Sequence, residues 1–332
     1  GWYNGHPDYR DSKFDLSCES AAVVGNGNVA VDVARILARD PESLKETDIA
    51  DYALDTLRKS RIKTIYMLGR RGPFQAAFTN PEIRELCDLP GANLVVDPKE
   101  LELDEFSQAD LQAGVGGTKS KGNVEILQEH SKKPLEGKSK KLILKFLVSP
   151  VELTGKDGKV TAMKLEKNKL VRGKDGDLKA EGTKQFETVA AGLVLRSIGY
   201  KGLPLPGIPY DERKGTIPNL EGRVLDSQLK VILGLYVVGW AKRGPSGVIG
   251  TNKPDSIDTV HKLIDDAKDG LIRPQARTED VLDVLKKKNV QAVTFPDWKK
   301  LDELEIAAGK PAGKVREKFK MIPEMLEALK KN

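Results

Sequence analysis

An α/β fold is predicted for this chain, and three observations predict it. The apolar run Ala21-Ala22-Val23-Val24 opens into Gly25-Asn26-Gly27-Asn28-Val29-Ala30, after which Val31, Val33, Ala34, Ile36 and Leu37 recur at helical spacing. Alternating apolar runs at 142–148, 159–165 and 187–195 are separated by Gly-Lys-Asp-Gly turns and read as a β-meander. Further on, Gly234-Leu235-Tyr236-Val237-Val238-Gly239-Trp240 is a buried-type strand that delivers a second glycine turn toward a helix expected from about Ser256 to Ala267. The expectation is therefore a Rossmann-like βαβ domain with an attached meander, followed by part of a second domain of that kind.

The first glycine turn carries the chemistry. Such a turn lets the backbone approach a pyrophosphate and aims the free N–H groups of a helix N-terminus at it, while a small residue such as Ala30 lets helix and strand pack closely. The next strand, Thr64 to Leu68, ends in Gly69-Arg70-Arg71-Gly72-Pro73. In a dinucleotide fold that point meets the adenosine ribose, where an acidic residue suits a 2′-hydroxyl and arginine suits a 2′-phosphate. Arg70 and Arg71 therefore argue for NADP(H). The spacing exceeds the usual ~20 residues, because residues 41–63 form an insertion.

Composition narrows the classes. The chain has 332 residues, enough for two domains, with a formal charge of +6 that suits an anionic ligand or partner. No aromatic-interleaved basic motif points to nucleic acid, and no apolar stretch approaches the ~20 residues of a membrane span. The two cysteines, Cys18 and Cys87, form no C-x-x-C, and His6, His130 and His261 are scattered, so neither a dithiol centre nor a metal site is expected.

Other elements follow from local pattern. Residues 1–19 read as loop. Thr47 or Asp48 is a candidate N-cap for a helix running through Leu57. A short helix is expected over Asn80 to Leu86 and a strand over Asn93 to Val96. From Leu101 to Lys141 the pattern loosens, with Gly114 to Gly122 expected to be mobile beside a short helix. A strand from Ala191 to Ile198 precedes a crossover at Leu203-Pro204-Leu205-Pro206-Gly207.

Four motifs in order, Gly1-Trp2-Tyr3-Asn4-Gly5, GNGNVAVDVARIL, GRRGPFQAAFT and GLYVVGWAKRGPSGVIGTNKPDS, resemble the adrenodoxin reductase family, the NADPH:ferredoxin reductases of the glutathione-reductase-like flavoprotein fold. The resemblance extends to Phe295-Pro296-Asp297-Trp298. It implies that Asn26, Gly27, Asn28 and Val29 hold the NADP pyrophosphate, that Arg70 and Arg71 take the 2′-phosphate, and that Glu82 orients the nucleotide. Asn26 stands where the family often has glutamine. The resemblance further implies FAD contacts at Trp240, Gly247, Val248 and Ile249, with Gly247 also near the nicotinamide. Asp32, just inside the first helix, is the candidate catalytic residue, managing a flavin-linked proton; favourable placement against the helix dipole explains it equally well.

The family also carries an earlier glycine loop for the ADP half of FAD, and nothing precedes Gly1 here. The expectation is an N-terminally truncated chain: a NADP-binding domain over residues 1–200 and the C-terminal part of an FAD-binding domain over residues 201–332. The expected activity is hydride transfer from NADPH to FAD and single-electron transfer to an acidic [2Fe-2S] ferredoxin or adrenodoxin. Lysines 119, 121, 132, 133, 138, 140 and 141 are the candidate docking face. The alternatives are a non-catalytic NADP(H)-binding fragment, or another pyridine-nucleotide flavoprotein reductase, of which the disulfide-reducing kind needs a paired cysteine absent here. The resemblance places eukaryotic members in the mitochondrial matrix and bacterial ones in the cytoplasm.

Overall fold

The computed structural model describes the chain apart from residues 174–175, 177, 246–248, 273–278 and 331–332. It divides into two units, Gly1–Ile198 with Val293–Asn332, and Gly199–Ala292.

In the first unit the elements run β1 (Ser20–Val24), α1 (Asn28–Ala38), α2 (Asp51–Arg58), β2 (Thr64–Leu68), α3 (Asn80–Cys87), β3 (Ala92–Val96), α4 (Glu105–Gln112), α5 (Gly117–His130), β4 (Lys140–Lys145), β5 (Val148–Lys156), β6 (Lys159–Arg172), β7 (Leu178–Ala190) and β8 (Leu193–Arg196). Five of these strands form a parallel sheet in the order β3-β4-β2-β1-β8. Side chains alternate between its faces as the two-residue period of a strand requires. Ala21, Val23, Ile65, Met67, Leu142 and Leu144 join the large core with the helices, whereas Ala22 and Leu68 pack with Val148, Met163, Leu165 and Val189 of the antiparallel β5-β6-β7 sheet. Both faces are covered, as a parallel sheet demands.

Several sequence expectations are corrected here. The run 142–148 was expected in the meander because it alternates; its main part is instead β4, inserted between β3 and β2. Alternation at the level of one strand does not reveal its partner, which long-range register decides. The helix after the 41–50 segment begins at Asp51, with Ala50 at the N-cap and no side-chain cap, and Thr47 bonds locally to Leu44 O and Ile49 N. Gly114 and Gly116, both at positive φ, separate α4 from α5, and Gly117 to Gly122 belong to a 14-residue helix. Those glycines mark a helix break.

The second unit holds β9 (Asn219–Leu220), β10 (Arg223–Leu225), β11 (Val231–Tyr236), α6 (Gly239–Arg243), α7 (Ile249–Lys268) and α8 (Val281–Lys287), with the three strands antiparallel in the order β11-β10-β9. Trp240, expected at a strand end, lies in α6. Helix α7, expected from about Ser256 to Ala267, runs from Ile249 to Lys268 and contains Pro254, although proline disfavours a helix interior.

The C-terminal elements α9 (Phe295–Gly309) and α10 (Ile322–Lys330) follow. Residues 293–332 were expected with the second domain and group with the first unit. The cause is a set of charged pins onto the 41–58 insertion: Lys314 Nζ meets Asp51 at 2.6 Å, and Lys318 Nζ meets Asp48 at 2.9 Å and Asn4 O at 3.1 Å. Tyr52 O–H donates to Trp2 O at 2.6 Å, so the Gly1-Trp2-Tyr3-Asn4-Gly5 loop is tied to the same insertion. Among the described residues no helix is long and apolar enough to cross a membrane.

Candidate functional site

Strand β1 lies between β2, the next strand in the chain, and β8, which joins on the other side after the meander, so the strand order reverses at β1. In an open parallel sheet, ligands bind in the crevice outside the carboxyl end of the strand at such a switch point. The segment at that end of β1 is Gly25 to Val29.

Its backbone explains its composition. Gly25 has φ +135°, and a Cβ there would stand 2.0 Å from Ser197 O, so only glycine fits. Gly25 N–H donates to Leu68 O, and Ser197 N–H to Val24 O, both at 2.8 Å, locking the loop between β2 and β8. Gly27 is the extended N-cap of α1 and offers no side-chain cap. The first-turn amides of α1 therefore point into the crevice without a capping side chain, the arrangement that binds phosphate. Val29 is exposed in that first turn.

The two asparagines act as braces. Asn26 O accepts from Ala77 N–H at 3.1 Å and Phe78 N–H at 3.0 Å, and Asn28 Oδ1 accepts from Thr79 N–H at 2.9 Å. The Asn26 side chain also lies across Gly69, where a Cβ would stand 2.5 Å from its Nδ2. Sequence reasoning missed this bracing role of residues 77–79; the signal was the apolar Phe78, fully buried a few residues after the glycine-proline turn.

Arg70 and Arg71 follow β2 beside the loop. Their main chains are fixed from the meander: Asn168 Nδ2 donates to Arg70 O at 2.9 Å and Leu147 N–H to Arg71 O at 3.2 Å. The Arg70 side chain is exposed. Uncapped amides, a cradle closed to any Cβ and arginine at the ribose end fit a 2′-phosphorylated dinucleotide.

Asp32 and Glu82 are brought together by one guanidinium. Arg35 pairs with Asp32 Oδ1 one turn away, with Glu82 Oε2 at 3.0 Å, and with Glu85. Tyr3 stands close by: burial, and then the negative field of Asp32, push its hydroxyl pKa up. Both cysteines are free thiols, and burial raises Cys18 and drives Cys87 up to about 12, so neither is poised as a thiolate.

In the second unit Trp240 is 44% exposed and stacks on Tyr200, ring centroids 6.3 Å apart. Asp255 positions α6 by accepting from Gly239 N–H at 2.6 Å and pairing with Lys242 at 2.9 Å. Gly247 and Val248 lie outside the described residues, as does the side chain of Ile249, which opens α7. Tyr200 was absent from the sequence-based site, since its pairing with Trp240 bridges residues 40 apart in sequence.

The expected lysine face is divided. Lys140 Nζ donates to Leu37 O at 2.8 Å and Arg39 O at 3.4 Å, capping the end of α1, and Lys138 pairs with Glu136 at 3.0 Å. Lys119, Lys121, Lys132, Lys133 and Lys141 are exposed.

No family model matches the chain. It is 44% identical over 332 residues to the NADPH-ferredoxin reductase FprA of Mycobacterium tuberculosis, spanning 98% of this chain and 71% of that protein. It is 41% identical over 341 residues to the mitochondrial NADPH:adrenodoxin oxidoreductase of Homo sapiens, spanning 99% and 67%. The solved structure of Mycobacterium tuberculosis FprA in complex with NADPH matches it with a TM-score of 0.88 at 43% identity, over 99% of this chain and 71% of that one. The chain belongs to the family of NADPH-ferredoxin and adrenodoxin reductases.

Proposed function

We propose that the chain works as an NADPH:ferredoxin (adrenodoxin-type) oxidoreductase, with NADP(H) on the β1–α1 loop and FAD against Trp240. The observation that carries the reading is the uncapped glycine loop at the switch point with two arginines at the end of the neighbouring strand. The amides of Asn26, Gly27, Asn28 and Val29 would hold the pyrophosphate, and Arg70 and Arg71 the 2′-phosphate. Glu82, fixed by Arg35, would orient the nucleotide. Asp32, which anchors the same Arg35 through Oδ1, is the candidate for managing a flavin-linked proton.

The half-exposed Trp240, backed by Tyr200, offers a flat apolar face of the kind an isoalloxazine edge stacks on. Gly247, Val248 and Ile249 would complete that contact. When bound, FAD supplies the conversion of a hydride from NADPH into the single electrons that an iron–sulfur ferredoxin accepts. The protein's share is to bind, align and exclude water.

Replacing Arg70 and Arg71 by alanine tests the nucleotide assignment. Each lost charge-assisted bond should weaken NADPH binding about tenfold or more and leave NADH nearly unaffected. Equal losses for both nucleotides would overturn it.

The partner reading is an acidic [2Fe-2S] ferredoxin docking on the exposed Lys121, Lys132, Lys133 and Lys141. Electron transfer should then slow as salt rises, because exposed charges are screened beyond about 8–10 Å; a salt-independent rate removes this face. The mammalian relative is named as mitochondrial and the mycobacterial one is bacterial, so the compartment follows the source of the chain.

A further inference from the structure

One lysine of the expected docking face stands apart from the rest. Lys119 lies in the first turn of α5, and that end of the helix packs on the Pro73–Gln75 turn directly after Arg71. Gly116, at the N-cap, is close enough to that turn that a Cβ would stand 3.6 Å from Phe74 Cζ. The position is pinned rather than incidental. Asn80 Nδ2 donates to Lys119 O at 2.9 Å and to Asn123 Oδ1 at 2.7 Å, and Asn123 Nδ2 donates to Phe78 O at 3.0 Å. The first turn of α5 is thus tied to the segment that braces the glycine loop.

The charge on Lys119 is not matched by a carboxylate among the described residues. Among the described residues it forms no ion pair, whereas Lys121, two residues on, faces Glu125 at 3.7 Å. Lys119 is exposed at the surface, yet the protein crowding its ammonium and then the Arg71 guanidinium lower its pKa. A cation in the field of a second cation, and itself in no ion pair among the described residues, is stabilised by an incoming anion.

We propose that Lys119 is a third cationic ligand of the nucleotide 2′-phosphate and a specificity-determining residue for NADPH over NADH. The inference rests on the nucleotide site proposed above and removes Lys119 from the ferredoxin-docking face. Arg70 and Arg71 approach from the end of β2, and Lys119 approaches from α5, so the phosphate would be gripped from two elements.

Calorimetric titration of the chain with 2′,5′-ADP and with 5′-AMP tests it, since the two probes differ at the 2′-phosphate. Lys119→Gln should bind 2′,5′-ADP about tenfold more weakly, the scale of one charge-assisted bond, with 5′-AMP binding unchanged. Lys119→Arg should restore most of the loss, and Lys156→Gln, the same charge change on the meander, should leave both unchanged. No change in Lys119→Gln overturns the proposal, as does an equal loss for both probes or an equal loss in Lys156→Gln. A raised KM for ferredoxin with normal 2′,5′-ADP binding returns Lys119 to the docking face and also overturns it. Arg70→Ala and Arg71→Ala in the same titration separate the two readings: a 2′-phosphate-specific loss there with none in Lys119→Gln leaves the nucleotide site standing without its third cation.

Discussion

The two units are held together by different physics. In the first, a five-stranded parallel sheet is buried on both faces, and Ala21, Ala22, Val23, Ile65, Met67, Phe78, Leu86, Leu127 and Leu142 are fully buried. In the second, Val224 and Val237 are the buried apolar residues among those described, while Leu203, Leu220, Leu229, Leu233, Ile257 and Val260 are exposed. Its cohesion comes instead from polar pins. Asp266 on α7 accepts from Nε and Nη2 of Arg223 and from the Tyr236 hydroxyl, at 2.8 Å from Nε and 2.6 Å from the O–H. Thr259 and Asp255 secure α6 and Lys242 in the same manner. Apolar burial is insensitive to pH, whereas a carboxylate holding three donors is not. The fold thus places the glycine loop on the hydrophobic unit and the Trp240–Tyr200 pair on the ion-paired one.

The largest effect should follow from emptying the hydrophobic unit. Phe78 is 0% exposed and its main chain braces the glycine loop. Phe78→Ala should cost about 3–5 kcal/mol, read by hydrogen exchange as lost protection in β1, β2 and α1. If the second unit loses as much, the two unfold as one and the contrast between them fails.

A smaller effect should appear in acid, in the second unit. The Arg223 guanidinium, and then the Tyr236 hydroxyl, hold the Asp266 carboxyl down at about 2 from its ordinary 3.8. A folded-state pKa below the unfolded one contributes stability that is fully present above the unfolded value. That contribution is lost as pH falls from near 4 towards about 2. Protection in β10, β11 and α7 should therefore decline across that window, and Asp266→Asn should flatten the pH dependence there. A wild-type profile that is already flat would mean that the pin does not hold the unit.

The nucleotide loop was legible because its requirements are local. A glycine forced to φ +135°, a small residue where helix meets strand and arginines at the next strand end can each be read from residue type and spacing. What failed to show were relations between distant residues. The alternation Lys140-Lys141-Leu142-Ile143-Leu144-Lys145 suits an antiparallel ribbon as well as a central parallel strand, and only the pairing of Leu142 with Ile65 and Leu94 selects the latter. Thr47 and Asp48 have N-cap chemistry, yet Asp48 pairs with Lys318 and the helix starts later. The loose glycines 114–117 announced a break without announcing the helix that begins behind it.

By itself, then, the sequence determined the α/β class and the glycine loop after β1, and placed the two arginines on which the proposed 2′-phosphate site rests, because these depend on backbone sterics and residue type within a few positions. Only the tertiary structure decided which strands neighbour β1, that residues 293–332 return to the first unit, that Arg35 gathers Asp32 and Glu82, and that the first turn of α5 is tied to residues 78–80. Each is a contact between segments tens to hundreds of residues apart. Such contacts are selected by the packing of the whole core, and no local pattern encodes them.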